Sequence, residues 1–357
     1  VVKIPFMTKI ISSFLLLTIL LVACNGKPAE TQSSDKRTAI DAELLEKAKN
    51  TFKALPELAE NPENPLTDAK IALGKVLYYE TKLSLTGNNS CNSCHNLATY
   101  GVDNLPFSVG DNGGFGARNS PTVYNAALHK MQFWDGRAKD VEEQAGGPIL
   151  NPVEMAMPSE AEVIKRLSAE PSYQEMFKAA FPDDKSPISY INLQKAIGAF
   201  ERTLLTPSPF DYLLNGNTLA FTAQEQAGLK DFMDVGCTTC HTGVSLGGEM
   251  FQKFGLNVDY RTLTKSKVND EGRKAISNQE ADKDVFKVCG LRNVAKTAPY
   301  FHDGSVADLN EAVRIMAKAE LNKDLTELQV SNIVAFLNTL TGDIPASALQ
   351  NATQAAK

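Results

Sequence analysis

"CNSCH", residues Cys91 to His95, and "CTTCH", residues Cys237 to His241, decide how this chain is read. Each is a Cys-x-x-Cys-His sequence, the attachment pattern of c-type haem. The two thiols form thioethers to the vinyl groups, and the adjoining histidine is brought beneath the iron. The chain has six cysteines and four histidines, and these two motifs use four and two of them. The alternative, a zinc site built from paired Cys-x-x-Cys, belongs in the cytosol more than behind an export signal. Such a signal opens the chain. In "VVKIPFMTKIISSFLLLTILLVACNGK", Lys3 and Lys9 precede an apolar run from Ile10 to Ala23. A run of about 14 residues falls short of the roughly 20 that cross a bilayer and suits a signal-peptide core. Leu21-Val22-Ala23-Cys24 resembles a bacterial lipobox, in which Cys24 is acylated and becomes the N-terminus; an ordinary signal peptide with a chance cysteine is the other reading. Residues 1–24 are expected as leader and 25–40 as a polar tether. A net charge of −6 and a pI near 5.4 argue against nucleic acid as a partner.

Helical signals dominate the remainder of the chain. Ser159 with Glu162, Thr222 with Glu225, Asp308 with Glu311 and Thr326 with Gln329 each precede an apolar run, and no strand alternation competes. The expected fold is mainly α, with long ordered loops packed on haem. The segments around the two motifs are alike. "LTDAKIALGKVLYY" precedes the first and "FTAQEQAGLKDFMD" the second; afterwards Arg118-Asn119 matches Arg292-Asn293, Asp135-Gly136 matches Asp303-Gly304, and Asp140 matches Asp308. This reads as a duplicated cytochrome c unit, two haem domains in tandem, with "TPSPF" (Thr206 to Phe210) as the boundary. The expected limits are 41–205 and 206–345, followed by a tail, 346–357. The same match sets Trp134, the only tryptophan, against His302. Trp134 is either a core aromatic or an electron relay.

Function turns on the iron's second axial ligand. A haem with two strong protein ligands carries electrons, whereas one with an open position binds a small oxidant. Met316 lies on the apolar stripe of a helix after the second motif, as a thioether ligand or as core. Glu154 stands just before Met155 and Met157 and is either an exposed structural carboxylate or an acid–base group.

Over about residues 41 to 342, these motifs together with "RNSPTVYNAALHKMQFWDGRAKDVEEQAGGPILNPVEM" and "LRNVAKTAPYFHDGS" resemble the bacterial di-haem cytochrome c peroxidases and the related enzyme that matures tryptophan tryptophylquinone. The resemblance implies two covalently bound haem c groups. Cys91, Cys94 and His95 would hold a low-potential peroxidatic haem; Cys237, Cys240, His241 and Met316 would hold a high-potential one. It implies Glu154 as the acid–base carboxylate, Gln144 as a distal amide and Trp134 as the bridge between the haems. Asn119, with the carbonyls of Thr297 and Pro299, is implied as a calcium site, a donor set that suits this ion. The implied reaction is reduction of hydrogen peroxide by a small periplasmic cytochrome c or cupredoxin. The enzyme is expected in the periplasm as a homodimer anchored by lipid alone, with Asn25 after Cys24 favouring the outer membrane. The competing readings are a di-haem electron carrier without turnover and a quinone-maturing oxidase, in which tyrosine replaces the second haem's methionine; Met316 opposes the latter.

The chain departs from the family at "LPFSVGDNGGFGARNSPTVYN" (Leu105 to Asn125), where many relatives carry a histidine that ligates the resting first haem. That position falls at Asp111, beside Asn112, and no histidine lies between His95 and His129. The first haem is therefore expected to be open without reductive activation, with Gly110, Gly113, Gly114 and Gly116 letting the loop move. Cys289 occupies a position commonly proline and is expected to be buried and inert, and His129 to be packed or solvent-linked rather than ligating.

Overall fold

The computed structural model describes residues 36–349, so the leader, Cys24, most of the tether and residues 350–357 of the tail lie outside the described residues. The capping signals resolve into helices. Thr222 and Glu225 bond each other's backbone N–H groups to open Ala223–Val235, which stops where Gly236 takes a φ of 105°. Thr326 and Gln329 open Glu327–Asn338 in the same way. Asp140 caps Val141–Leu150 and Asp308 caps Leu309–Leu321. The mainly α expectation holds. The sheet among the described residues is two strands, Phe251–Lys253 and Val285–Lys287, antiparallel with Gln252 opposite Phe286. Strands of three residues are too short to display a period of two, which is why the sequence shows none.

Each half of the chain is built on one close helix crossing. Asp68–Tyr78 crosses Tyr190–Glu201 at Gly74, where a Cβ would lie 1.8 Å from the Ala196 carbonyl oxygen. Ala223–Val235 crosses Glu327–Asn338 at Gly228, where a Cβ would lie 1.8 Å from the Asn332 carbonyl oxygen. Leu73, Leu77, Leu193 and Phe200 root one apolar core here, and Leu229, Phe232, Ile333 and Phe336 root the other. Alanine at either glycine should therefore lower the unfolding free energy by about 1–3 kcal/mol, the cost of overpacking. This outweighs the roughly 1 kcal/mol by which alanine favours a helix. Denaturant titration of Gly74→Ala and Gly228→Ala checks it.

The repeat keeps the register set by the Asp-Gly, Asp140–Asp308 and Trp134–His302 matches, and only the Arg-Asn match falls outside it. Asn125 and Asn293 both adopt φ of 62°, both open a 3₁₀ turn, and both donate Nδ2 to Thr206 Oγ1, at 2.8 and 2.9 Å. Gln132 bridges Ala138 as Tyr300 bridges Val306, and Phe133 and Phe301 both have positive φ. Each of these pairs, like Asp140 and Asp308, is 168 positions apart. Asn293 thus corresponds to Asn125 and not to Asn119. The shared Arg-Asn dipeptide misled: Arg118 binds Asp135 and Asp270, whereas Arg292 binds Asp211.

Packing also redraws the expected limits. Thr206, at the expected boundary, is fully buried between the two asparagines. The Ala42–Thr51 helix and its capping residue Phe52, assigned by sequence to the first half, put Ala48 and Phe52 into the second core. The Ala346–Leu349 turn, assigned to the tail, packs Ala348 on the first core, where Lys75 Nζ donates to Ser347 O at 2.6 Å and Tyr79 to Ala348 O at 3.1 Å. Each end buries its apolar residues on the core remote from it in sequence, so the limits at 41 and 345 do not mark packing units. No helix among the described residues is long and apolar enough to cross a membrane.

Candidate functional site

Two cavities open beside the two motifs. Cys91, Cys94 and His95 line the first, of about 770 Å³; Cys237, Cys240 and His241 line the second, of about 240 Å³. A short helical turn, Cys91–Cys94, opened by Ser90 and Ser93, presents the first pair, and the 3₁₀ turn Cys237–Thr239 presents the second. His95 Nδ1 lies 2.9 Å from Pro121 O, and His241 Nδ1 lies 2.8 Å from Leu246 O. A carbonyl only accepts, so Nδ1 carries the proton in both rings and Nε2 keeps a free lone pair. Burial lowers both imidazole pKa values, against the bonds to Pro121 and Leu246, and so favours the neutral, ligating form. Burial also raises the thiols, Cys237 to about 12.

The register of 168 positions makes the two cavities comparable residue by residue. Val141 and Leu309 line them at one matching position, and Ala145 and Val313 at another. Where the first helix has Gln144 and Pro148, the second has Ala312 and Met316, and all four line their cavities. Proline has no side-chain donor, whereas methionine offers a thioether. The framework is therefore shared and the available ligands differ.

Trp134 lines both cavities. Its Nε1 donates to Asn119 O at 2.8 Å, its carbonyl accepts from Lys287 N at 2.7 Å, and its ring meets His302 edge-on at 6.3 Å between centroids. His302 stacks in turn on Phe286 of the second cavity, at 4.2 Å.

Glu154 lines the first cavity. Burial holds its carboxyl above the usual carboxylate range, opposed by Arg137 and a bond from Asn151. Met155 lines the same cavity, while Met157 is buried in the first core. Asp111 does not line the cavity. Its carboxylate accepts from Thr86 N at 2.6 Å and Asn88 N at 3.2 Å, while its own N–H donates to Glu154 O at 2.7 Å. Burial alone would raise this carboxyl, but these bonds hold it low. Asn112 Nδ2 binds Pro152 O, and a Cβ at Gly110 would lie 2.1 Å from Val153 O. Of the four glycines expected to free this loop, Gly110 instead lets the backbone approach the 152–154 segment, while Gly113, Gly114 and Gly116 have no such close neighbour.

The donor set fits haem c at both motifs: two thiols, a neutral imidazole with a free nitrogen and a largely apolar wall. It does not fit zinc, because among the described residues no three His, Cys, Asp or Glu side chains converge. A family model for di-haem cytochrome c peroxidase matches residues 68–219. Cytochrome c551 peroxidase of Pseudomonas aeruginosa is 46% identical over 304 residues, 85% of this chain and 87% of that protein. The chain belongs to the di-haem cytochrome c peroxidase family. MauG, the methylamine utilization protein of Methylorubrum extorquens, is 33% identical, over 90% of this chain and 93% of that one. Among solved structures, a MauG-like protein associated with microbial copper homeostasis superposes with a TM-score of 0.73 at 28% identity, over 84% of this chain and 97% of that one.

For a di-haem cytochrome c peroxidase, several residues outside the haem ligands acquire a setting. Asn119 donates Nδ2 to Leu105 O and its N–H to His302 O, which ties the 105–119 segment to the one carrying Thr297 and Pro299. Asn104 Nδ2 adds a bond to Ala298 O at 2.8 Å. His129 is packed as expected: a Cβ at Gly248 or Gly290 would meet its ring, and its Nδ1 lies 3.3 Å from Lys287 Nζ. Burial drives His129 well below and Lys287 down to about 8. Cys289 is not in the packed interior as expected; it forms part of the second cavity's wall, although the protein around it still raises its thiol. Two features went unread in the sequence, the Pro148–Met316 correspondence and the buried Glu201. Counting forward from the two Asp-Gly pairs without a gap would have found the first.

Proposed function

We propose that the chain reduces hydrogen peroxide to two waters, using two electrons delivered singly by a small cytochrome c or cupredoxin. The observation that carries this reading is the difference between two helices that line their cavities at corresponding positions: Gln144 and Pro148 beside the first cavity, Ala312 and Met316 beside the second. Haem, when bound, supplies an iron with an open position in the first cavity and an electron-transfer centre in the second. Cys91 and Cys94 would hold the first group, with His95 Nε2 as its ligating atom; Cys237, Cys240, His241 and Met316 would hold the second. Gln144 orients the peroxide with its amide. Glu154, as carboxylate, takes a proton from one peroxide oxygen and returns it to the other, which leaves as water; the remaining oxygen becomes the second water with the donor's two electrons and two protons from solvent. The raised pKa of Glu154 brings it closer to neutrality, where proton transfer in both directions is easy. Trp134 bridges the two centres. Asn119 and the carbonyls of Thr297 and Pro299 hold Ca²⁺ between the segments they tie. The apolar leader and Cys24 support export and a lipid anchor on the periplasmic side of a membrane. The identity with cytochrome c551 peroxidase supports the reading as a whole.

The test is to add peroxide to the reduced holoprotein in the presence of a reduced small cytochrome c and to follow donor oxidation. Multiple turnovers are expected. Donor oxidation no faster than without the protein would leave an electron carrier.

A further inference from the structure

Glu201 closes the Tyr190–Glu201 helix, is 4% exposed, and lines the first cavity. Its carboxylate has no hydrogen-bond partner among the described residues. The adjacent Arg202 cannot neutralise it, because Nε and Nη2 each reach a Glu142 oxygen at 2.7 Å. Asn61 and Asn64 complete the shell of Glu142. Burial is the main influence on Glu201, repulsion from Glu142 adds to it and Arg202 partly opposes it; together they raise its pKa to about 8. Tyr78 and Cys91 also lie within its electrostatic reach; burial keeps Tyr78 a neutral phenol, and Cys91, once joined to haem, is an uncharged thioether.

The second half shows that packing does not require a carboxyl at this position. Gly74 meets Ala196 and Phe200 as Gly228 meets Asn332 and Phe336. The residue after each phenylalanine is Glu201 in one half and Leu337 in the other, and Leu337 lines the second cavity. The first half therefore carries a costly buried acid where the same fold accepts leucine.

We propose that Glu201 is the redox-linked proton site of the first haem: it takes one proton from solvent when the donor's electron enters that haem and returns it when the electron leaves. The physical basis is that a more positive centre favours the neighbouring carboxylate and a less positive one favours the acid. The proposal rests on the reading that this cavity holds haem.

Spectroelectrochemical titration of the holoprotein against pH tests it. In the wild type, the first haem's potential should fall as pH rises through the neutral range. Glu201→Gln and Glu201→Leu should reduce that slope at least twofold, and the second haem should be unaffected in both. The redox-difference infrared spectrum should lose the carbonyl stretch of a protonated carboxyl on oxidation, in the wild type and not in Glu201→Gln. Two bound haems with an unchanged slope in Glu201→Gln would overturn the proposal alone. A chain that binds haem only at Cys237–His241 would overturn both it and the functional reading beneath it.

Discussion

Glu154→Gln is expected to lower kcat/KM for peroxide by about 10²–10⁴-fold, the usual contribution of a positioned acid–base group. The amide keeps the size of the side chain and removes the proton acceptor. Haem content and the spectra of both centres should be unchanged, because Glu154 makes no bond to His95 or Pro121. The pH profile supplies a second signature. Glu154 must be ionised to accept the peroxide proton, so activity is lost as pH falls through its pKa. Burial raises that pKa, and the acid limb therefore lies higher than for an ordinary glutamate. In Glu154→Gln that limb should vanish from the residual rate. A variant that keeps full activity and the same limb would remove Glu154 from the chemistry.

Met316→His should leave the second haem low-spin and lower its potential by roughly 0.2 V, because thioether ligation is what raises it. At 59 mV per tenfold for one electron, this is roughly a thousandfold in the equilibrium of reduction by the donor. Donor-driven turnover should fall accordingly, while a pre-reduced protein should still react once with peroxide at the normal rate. An unchanged potential would mean that Met316 only packs.

The parts of this molecule that rest on short, local chemistry could be read before the structure was seen. Cysteine spacing marks both cavities, and the pairs at Thr222, Asp308 and Thr326 start helices because a cap acts within one turn. Contacts between segments distant in the chain could not be read. Glu201 looks like any glutamate at a helix end until Arg202 is seen turned toward Glu142, and Asp111 looks like a loop residue until Thr86 and Asn88 are seen bonded to it. The register of the repeat was legible from the Asp-Gly, Asp140–Asp308 and Trp134–His302 matches, while the shared Arg-Asn dipeptide pointed to a different one. Gly74 and Gly228 show the reverse case: they weaken a helix by propensity, and their reason lies wholly in the helix that crosses them.

The central claim is that one iron position is open and the other closed. Pro148 stands where Met316 stands in the other half, Asp111 is bonded to the 86–88 turn, and His129 is packed between Gly248 and Gly290 against Lys287. The electron paramagnetic resonance spectrum of the all-ferric holoprotein reports both ligand sets at once. One high-spin and one low-spin haem in equal amounts is the predicted result; two low-spin haems, with a bis-histidine signal from the first, would contradict it.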